Sequence, residues 1–171
     1  RIDEIQSVIN IKGLDEQKQN IINKLSYINI ITSLDTFICD IILTKIIQDE
    51  ESFNNFFNSI PPCKKKDEMT KLKEDNLVAQ WEQKVIEYVM RTSYSNIDTI
   101  KDILKELFKV SIIDTNGKMK KHFYYRNLLA HRNGRKKDGG YINITNEELK
   151  SLITDTQSIA KQIQTKIKPE H

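Results

Sequence analysis

The chain contains the run Tyr125-Arg126-Asn127-Leu128-Leu129-Ala130-His131-Arg132-Asn133-Gly134, in which an imidazole stands five residues after an arginine and four after an asparagine. An imidazole, with an unperturbed pKa of about 6.5, takes or gives a proton near neutral pH. A guanidinium stays charged and can hold two phosphate oxygens with its fork. Together they suit RNA cleavage without a metal. In that reaction the ribose 2′-hydroxyl attacks the adjacent phosphorus, a base takes its proton, an acid protonates the departing 5′-oxygen, and a cation steadies the extra phosphoryl charge. His131 is the candidate for proton transfer, Arg126 for the phosphate, and Asn127 for orienting one or the other.

Charge supports that reading. Residues 118–137 hold eight Lys or Arg and no Asp or Glu, in a chain of 171 residues with a net charge of +3, so the remainder is net negative. Positive charge gathered in this way fits a polyanion. Lys120, Lys121, Arg132, Arg135 and Lys136 are the candidate contacts to an RNA backbone. The plainer reading is a solvated helix end, with His131 capping a carbonyl, Asn127 at the surface and Arg126 paired with an acid elsewhere. On a helical wheel Asn127 and His131 lie about 40° apart, but Arg126 lies about 140° from His131. One rigid helix therefore separates Arg126 from His131, unless the long arginine swings over, a turn unwinds, or a second copy of the chain supplies the arginine.

Other chemistries find little support. His122 falls on the opposite face of the wheel from His131 with no carboxylate cluster beside them, so no metal and no cofactor is expected. Serine and cysteine nucleophiles lack a basic partner, and no glycine-rich phosphate loop is present. Cys39 and Cys63 form no Cys-x-x-Cys pattern, which points to a reduced, cytoplasmic setting rather than a disulfide framework or a zinc site. The most apolar region, residues 28–47, is broken by polar side chains, so no membrane span is expected. The start at Arg1 suggests a fragment or a processed product. Length fits a single domain over 1–171.

Punctuation is sparse, with five glycines and three prolines in the whole chain, and this favours long helices. Ile21, Leu25, Ile28, Ile31, Leu34, Ile38, Ile41 or Ile42, and Ile46 step by three and four, a helical pattern that outranks the strand propensity of isoleucine. The spacing predicts a short helix over 2–11 and a long, central, well-buried helix over about 15–48 with a jog near Ser33 and Asp35. A short helix follows over 52–59 with Phe53, Phe56 and Phe57, stopped by Pro61-Pro62. Residues 64–68 read as an exposed linker. Leu77, Trp81, Val85, Tyr88 and Val89 mark a further helix, and residues 97–108 another. A turn at 114–117 leads into the helix over 118–132 that carries the candidate site, stopped by Asn133-Gly134. A polar loop over 135–141, a brief extended piece over 141–144, and a final helix opened by the capping box Thr145-Asn146-Glu147-Glu148 complete the chain. Trp81 and the phenylalanines are expected in the core or at a dimer contact rather than as base-stacking platforms. The class is all-α, a bundle of about five to seven helices.

The segment Arg126-Asn127-Leu128-Leu129-Ala130-His131 resembles the Arg-x4-6-His signature of the HEPN superfamily, in the form where a polar residue follows the arginine. The resemblance covers about residues 25–167 and is specific at residue level from Tyr125 to Gly134; Leu34-Asp35-Thr36-Phe37 also resembles the early helix of that family. It implies an all-α bundle, a homodimer, and a metal-independent endoribonuclease of a bacterial toxin or anti-phage defence system, with Arg126, Asn127 and His131 at its site. An antitoxin or another defence-system subunit would be the protein partner. The tyrosine that accepts AMP in some HEPN toxins, two residues after the histidine, is replaced here by Asn133, so regulation of that kind is not implied. Two other classes compete: a non-catalytic helical module for dimerisation or partner docking in a larger defence protein, and a nucleic-acid-binding module without catalysis. Product ends separate the three, because only the nuclease leaves a 2′,3′-cyclic phosphate.

Overall fold

The three-and-four spacing of Tyr27, Ile30, Ile31, Leu34, Ile38, Ile42 and Ile46 folds as helix, and each of these side chains is buried. The computed structural model describes residues 13, 15–60, 63–92, 94 and 96–167. Among the described residues there are seven α-helices: α1 (Glu16–Gln48), α2 (Glu50–Ser59), α3 (Lys64–Glu74), α4 (Val78–Arg91), α5 (Ile97–Phe108), α6 (Lys118–Arg132) and α7 (Asn146–Lys166). They form an all-α bundle. The helix expected over 2–11 lies outside the described residues.

α1 is the central element and packs against α2, α4, α6 and α7. It is one uninterrupted α-helix through Ser33 and Asp35. The hydroxyls of Thr32, Ser33, Thr36 and Thr44 each donate to the carbonyl four residues back, at 2.7 to 3.0 Å, so these residues take part in the helix rather than interrupting it. Asp15 opens the helix by accepting the Lys18 backbone N–H at 2.8 Å. Ile21 and Leu25, expected in the buried stripe, are instead 51% and 57% exposed. Periodicity assigns residues to a face, but the packed neighbours decide how far along that face burial extends.

The expected linker over 64–68 is the first turn of α3. Lys64 and Lys65 are exposed, whereas Lys66 is half-buried and its ammonium donates to the carbonyls of Asn58 and Ile60 at the end of α2. Met69 is buried and Leu72 half-buried against the core, and α3 packs on α4. Phe53, Phe57 and Trp81 pack edge to face, with ring centroids 4.8 and 5.4 Å apart. They are core residues, in agreement with the expectation from sequence. Leu77, expected to be core-facing, is 42% exposed at the entry to α4. The extended piece over 141–144 reduces to a single bridge between Arg135 and Tyr141, with Ile142 and Ile144 buried beyond it. Thr145 and Glu148 form the expected capping box of α7. No helix of the described residues is long and apolar enough to cross a membrane.

Candidate functional site

α6 carries the candidate residues, and its position is fixed at both ends. At its start the Asp114 carboxylate accepts the backbone N–H groups of Met119 at 2.9 Å and Lys120 at 3.3 Å. The carboxylate thereby satisfies amides that the helix leaves open and complements its dipole. The strand of chain before it is tied to α7 by Gln162, whose amide exchanges two hydrogen bonds with the Ile113 backbone, at 2.9 and 3.2 Å. At its end Asn133 and Gly134 take left-handed φ values of 49° and 80°. The Gly134 N–H returns to the Leu128 carbonyl at 2.9 Å. A side chain at Gly134 would strain that backbone and crowd Leu129, 3.4 Å from a Cβ built there.

Midway along α6, His122 is buried between two partners that sequence reading did not find. Its Nδ1 lies 2.6 Å from the Tyr27 hydroxyl of α1, and its Nε2 lies 3.0 Å from the Asp155 carboxylate of α7. Burial pushes the His122 imidazole below its ordinary value of 6.5, against the pull of Asp155. Asp155 is held below the ordinary carboxylate value; burial raises it, and the bonds from His122, Ser151 and Lys118 outweigh that. An ionised Asp155 only accepts, so Nε2 carries the proton, Nδ1 accepts, and the Tyr27 hydroxyl donates. Burial pushes the Tyr27 phenol up, which keeps it a donor.

His122→Phe keeps a flat aromatic ring but leaves the Tyr27 hydroxyl without its partner and takes one of its three side-chain partners from Asp155, and is expected to cost about 1–3 kcal/mol in denaturant unfolding. Because the folded His122 protonates below 6.5 and the unfolded chain at 6.5, the unfolded state binds the proton first as pH falls. Its contribution is therefore present above 6.5 and lost on acidification, and this part of the pH dependence is expected to vanish in His122→Phe.

The three candidate residues divide between the two sides of α6. Asn127 and His131 are exposed, and His131 makes no hydrogen bond among the described residues. The carbonyl-capping role weighed for it is taken by the backbone of Asn133 and Gly134. Arg126 turns inward and is half-buried. Its Nε and Nη2 are shielded from solvent, and neither has a hydrogen-bond partner. Asp35, in the middle of α1, lies within electrostatic reach of Arg126. Burial raises the Asp35 carboxyl above its ordinary value, and the Tyr94 N–H, which it accepts at 2.9 Å, and the Arg126 charge oppose that rise. In the sequence Asp35 stands out as a jog in the long helix and as part of the family resemblance, and its signal as a site residue is an acid within an apolar stripe.

A buried fork without partners is costly to the fold, and it retains the donors that a phosphate would satisfy. The wheel separation of about 140° between Arg126 and His131 is realised as an inward and an outward face, so one copy of α6 does not bring the two together.

The basic residues are mostly exposed. Lys120 is exposed and ion-paired with Asp98 at 2.9 Å, a pair open to solvent and to screening. The Lys121 ammonium lies 5.1 Å over the Tyr125 ring. Arg132 and Arg135 are exposed and Lys136 half-buried. The loop after α6 is held as a narrow hairpin by Lys136 N–H to Gly140 O at 2.7 Å and Ile142 N–H to Gly134 O at 2.9 Å. Among the described residues no three His, Cys, Asp or Glu side chains are grouped to hold a metal ion, and Cys39 and Cys63 are free.

The family model described as RiboL-PSP-HEPN matches residues 1–169. No curated protein and no solved structure gives a significant match.

Proposed function

The chain belongs to the RiboL-PSP-HEPN family, and from that premise we propose a metal-independent endoribonuclease of a bacterial toxin or anti-phage defence system, acting in the cytoplasm as a homodimer. The observation that carries the reading is a division of labour on α6, with an unpartnered guanidinium facing inward and an unpartnered imidazole facing solvent. In the homodimer, Arg126 of one copy swings out of its shielded position and meets His131 of the other at one RNA linkage. The 2′-oxygen bonds to phosphorus and the bond from phosphorus to the 5′-oxygen breaks. His131 serves the proton transfer at one of these oxygens and solvent at the other. Arg126 holds the nonbridging oxygens, where its charge is worth most as the phosphoryl group gains negative character. Asn127, on the His131 side, orients the imidazole or the phosphate, and Asp35 steadies Arg126. Lys120, Lys121, Arg132, Arg135 and Lys136 hold the RNA backbone, so binding weakens steeply with salt. An antitoxin or another subunit of the same system would restrain the activity.

The test is cleavage of RNA by the purified protein in EDTA, with the product ends identified. Fragments ending in a 2′,3′-cyclic phosphate with a 5′-hydroxyl on the other side are expected. Ends bearing a 3′-hydroxyl, or cutting that needs an added metal ion, would contradict the reading.

A further inference from the structure

Tyr124 occupies the same face of α6 as His131. Their separation of seven residues brings them to within about 20° of each other on the helix and about 10 Å apart along its axis, with Asn127 between them and Lys120 one turn beyond. Tyr124 is 48% exposed, in contrast to Tyr27 and Tyr94, which are buried. Its hydroxyl has no hydrogen-bond partner among the described residues, and its one ring neighbour is Tyr125, at 6.1 Å and tilted by 50°. That single contact does not explain a large aromatic ring held in solvent on the face that carries the imidazole. A tyrosine loses little freedom when it binds, and its flat face accepts any nucleobase.

Resting on the nuclease reading above, we infer that Tyr124 is a nucleobase-stacking platform, which takes the base of a nucleotide next to the linkage presented to His131. The phosphates of that strand run over the surrounding lysines. Stacking requires the base to be out of a duplex, so Tyr124 makes the site select an unpaired nucleotide.

The experiment uses the full chain with His131→Ala, which holds RNA without cutting it, and measures its affinity for a short fluorescent single-stranded RNA and for a duplex of the same sequence. Adding Tyr124→Ala is expected to weaken single-strand binding about ten-fold, and Tyr124→Phe to preserve it. Duplex binding and the salt dependence of single-strand binding should stay unchanged, since no charge is removed. An RNA lacking the stacked base should bind the parent and the Tyr124→Ala protein equally.

Equal affinity of parent and Tyr124→Ala for single-stranded RNA would overturn the inference, as would a change of oligomeric state on Tyr124→Ala, which would make the ring a contact between copies. If wild type cleaves RNA in EDTA and Tyr124→Ala binds as well as the parent, this inference alone falls. If the parent binds neither RNA, the nuclease reading falls with it.

Discussion

His131→Ala is expected to lower RNA cleavage in EDTA by about a hundred- to ten-thousand-fold, the range of a positioned proton-transfer group. The fold should survive, because the side chain is exposed and makes no hydrogen bond among the described residues. Surface substitutions of this kind change stability by about 0.5 kcal/mol or less. Single-turnover cleavage and thermal unfolding on the same preparation check both halves. A variant that cuts as fast as wild type would remove His131 from the chemistry.

Arg126→Met is expected to lower cleavage by about a hundred- to a thousand-fold, comparable to losing a preorganised donor to a developing oxyanion. Unlike most buried substitutions, it should leave unfolding stability unchanged or raised. Nε and Nη2 are shielded without partners, so methionine removes unsatisfied polar atoms and fills similar space. Asp35 limits the gain, because it loses the neighbouring positive charge. Arg126→Lys keeps that charge but loses the two-pronged geometry, and its cleavage should fall closer to that of Arg126→Met than to wild type. Strong destabilisation by Arg126→Met would make the arginine a structural group.

These expectations join residues that are legible in the sequence to residues that are not. The isoleucine stripe of α1, the Asn133-Gly134 stop and the Thr145 capping box each depend on neighbours within a few positions, and each reads correctly from local pattern. α3 does not, because three lysines after two prolines look like a linker and only Met69 and Leu72 supply an apolar signal. Its burial comes from α4, which sequence periodicity cannot place against it. The exposure of Ile21 and Leu25 has the same origin, since a stripe does not reveal where its covering ends. At the site, the motif marks Arg126, Asn127 and His131, and the wheel already separates the arginine from the histidine. The link from Arg126 to Asp35 and the bonds from His122 to Tyr27 and Asp155 join helices far apart in the chain, by 95 residues for Tyr27 and 33 for Asp155. No local signal encodes such pairings; they follow from how the bundle closes.

The claim that Arg126 and His131 meet across two copies of the chain is tested most directly by mixing subunits. Arg126→Met and His131→Ala proteins, each nearly inactive alone, would be unfolded together, refolded as mixed dimers and assayed on RNA in EDTA. Each mixed dimer holds one site with an intact arginine from one copy and an intact histidine from the other, so the mixture is expected to regain about a quarter of wild-type activity. A mixture that forms dimers and stays as inactive as its parents would contradict the shared site.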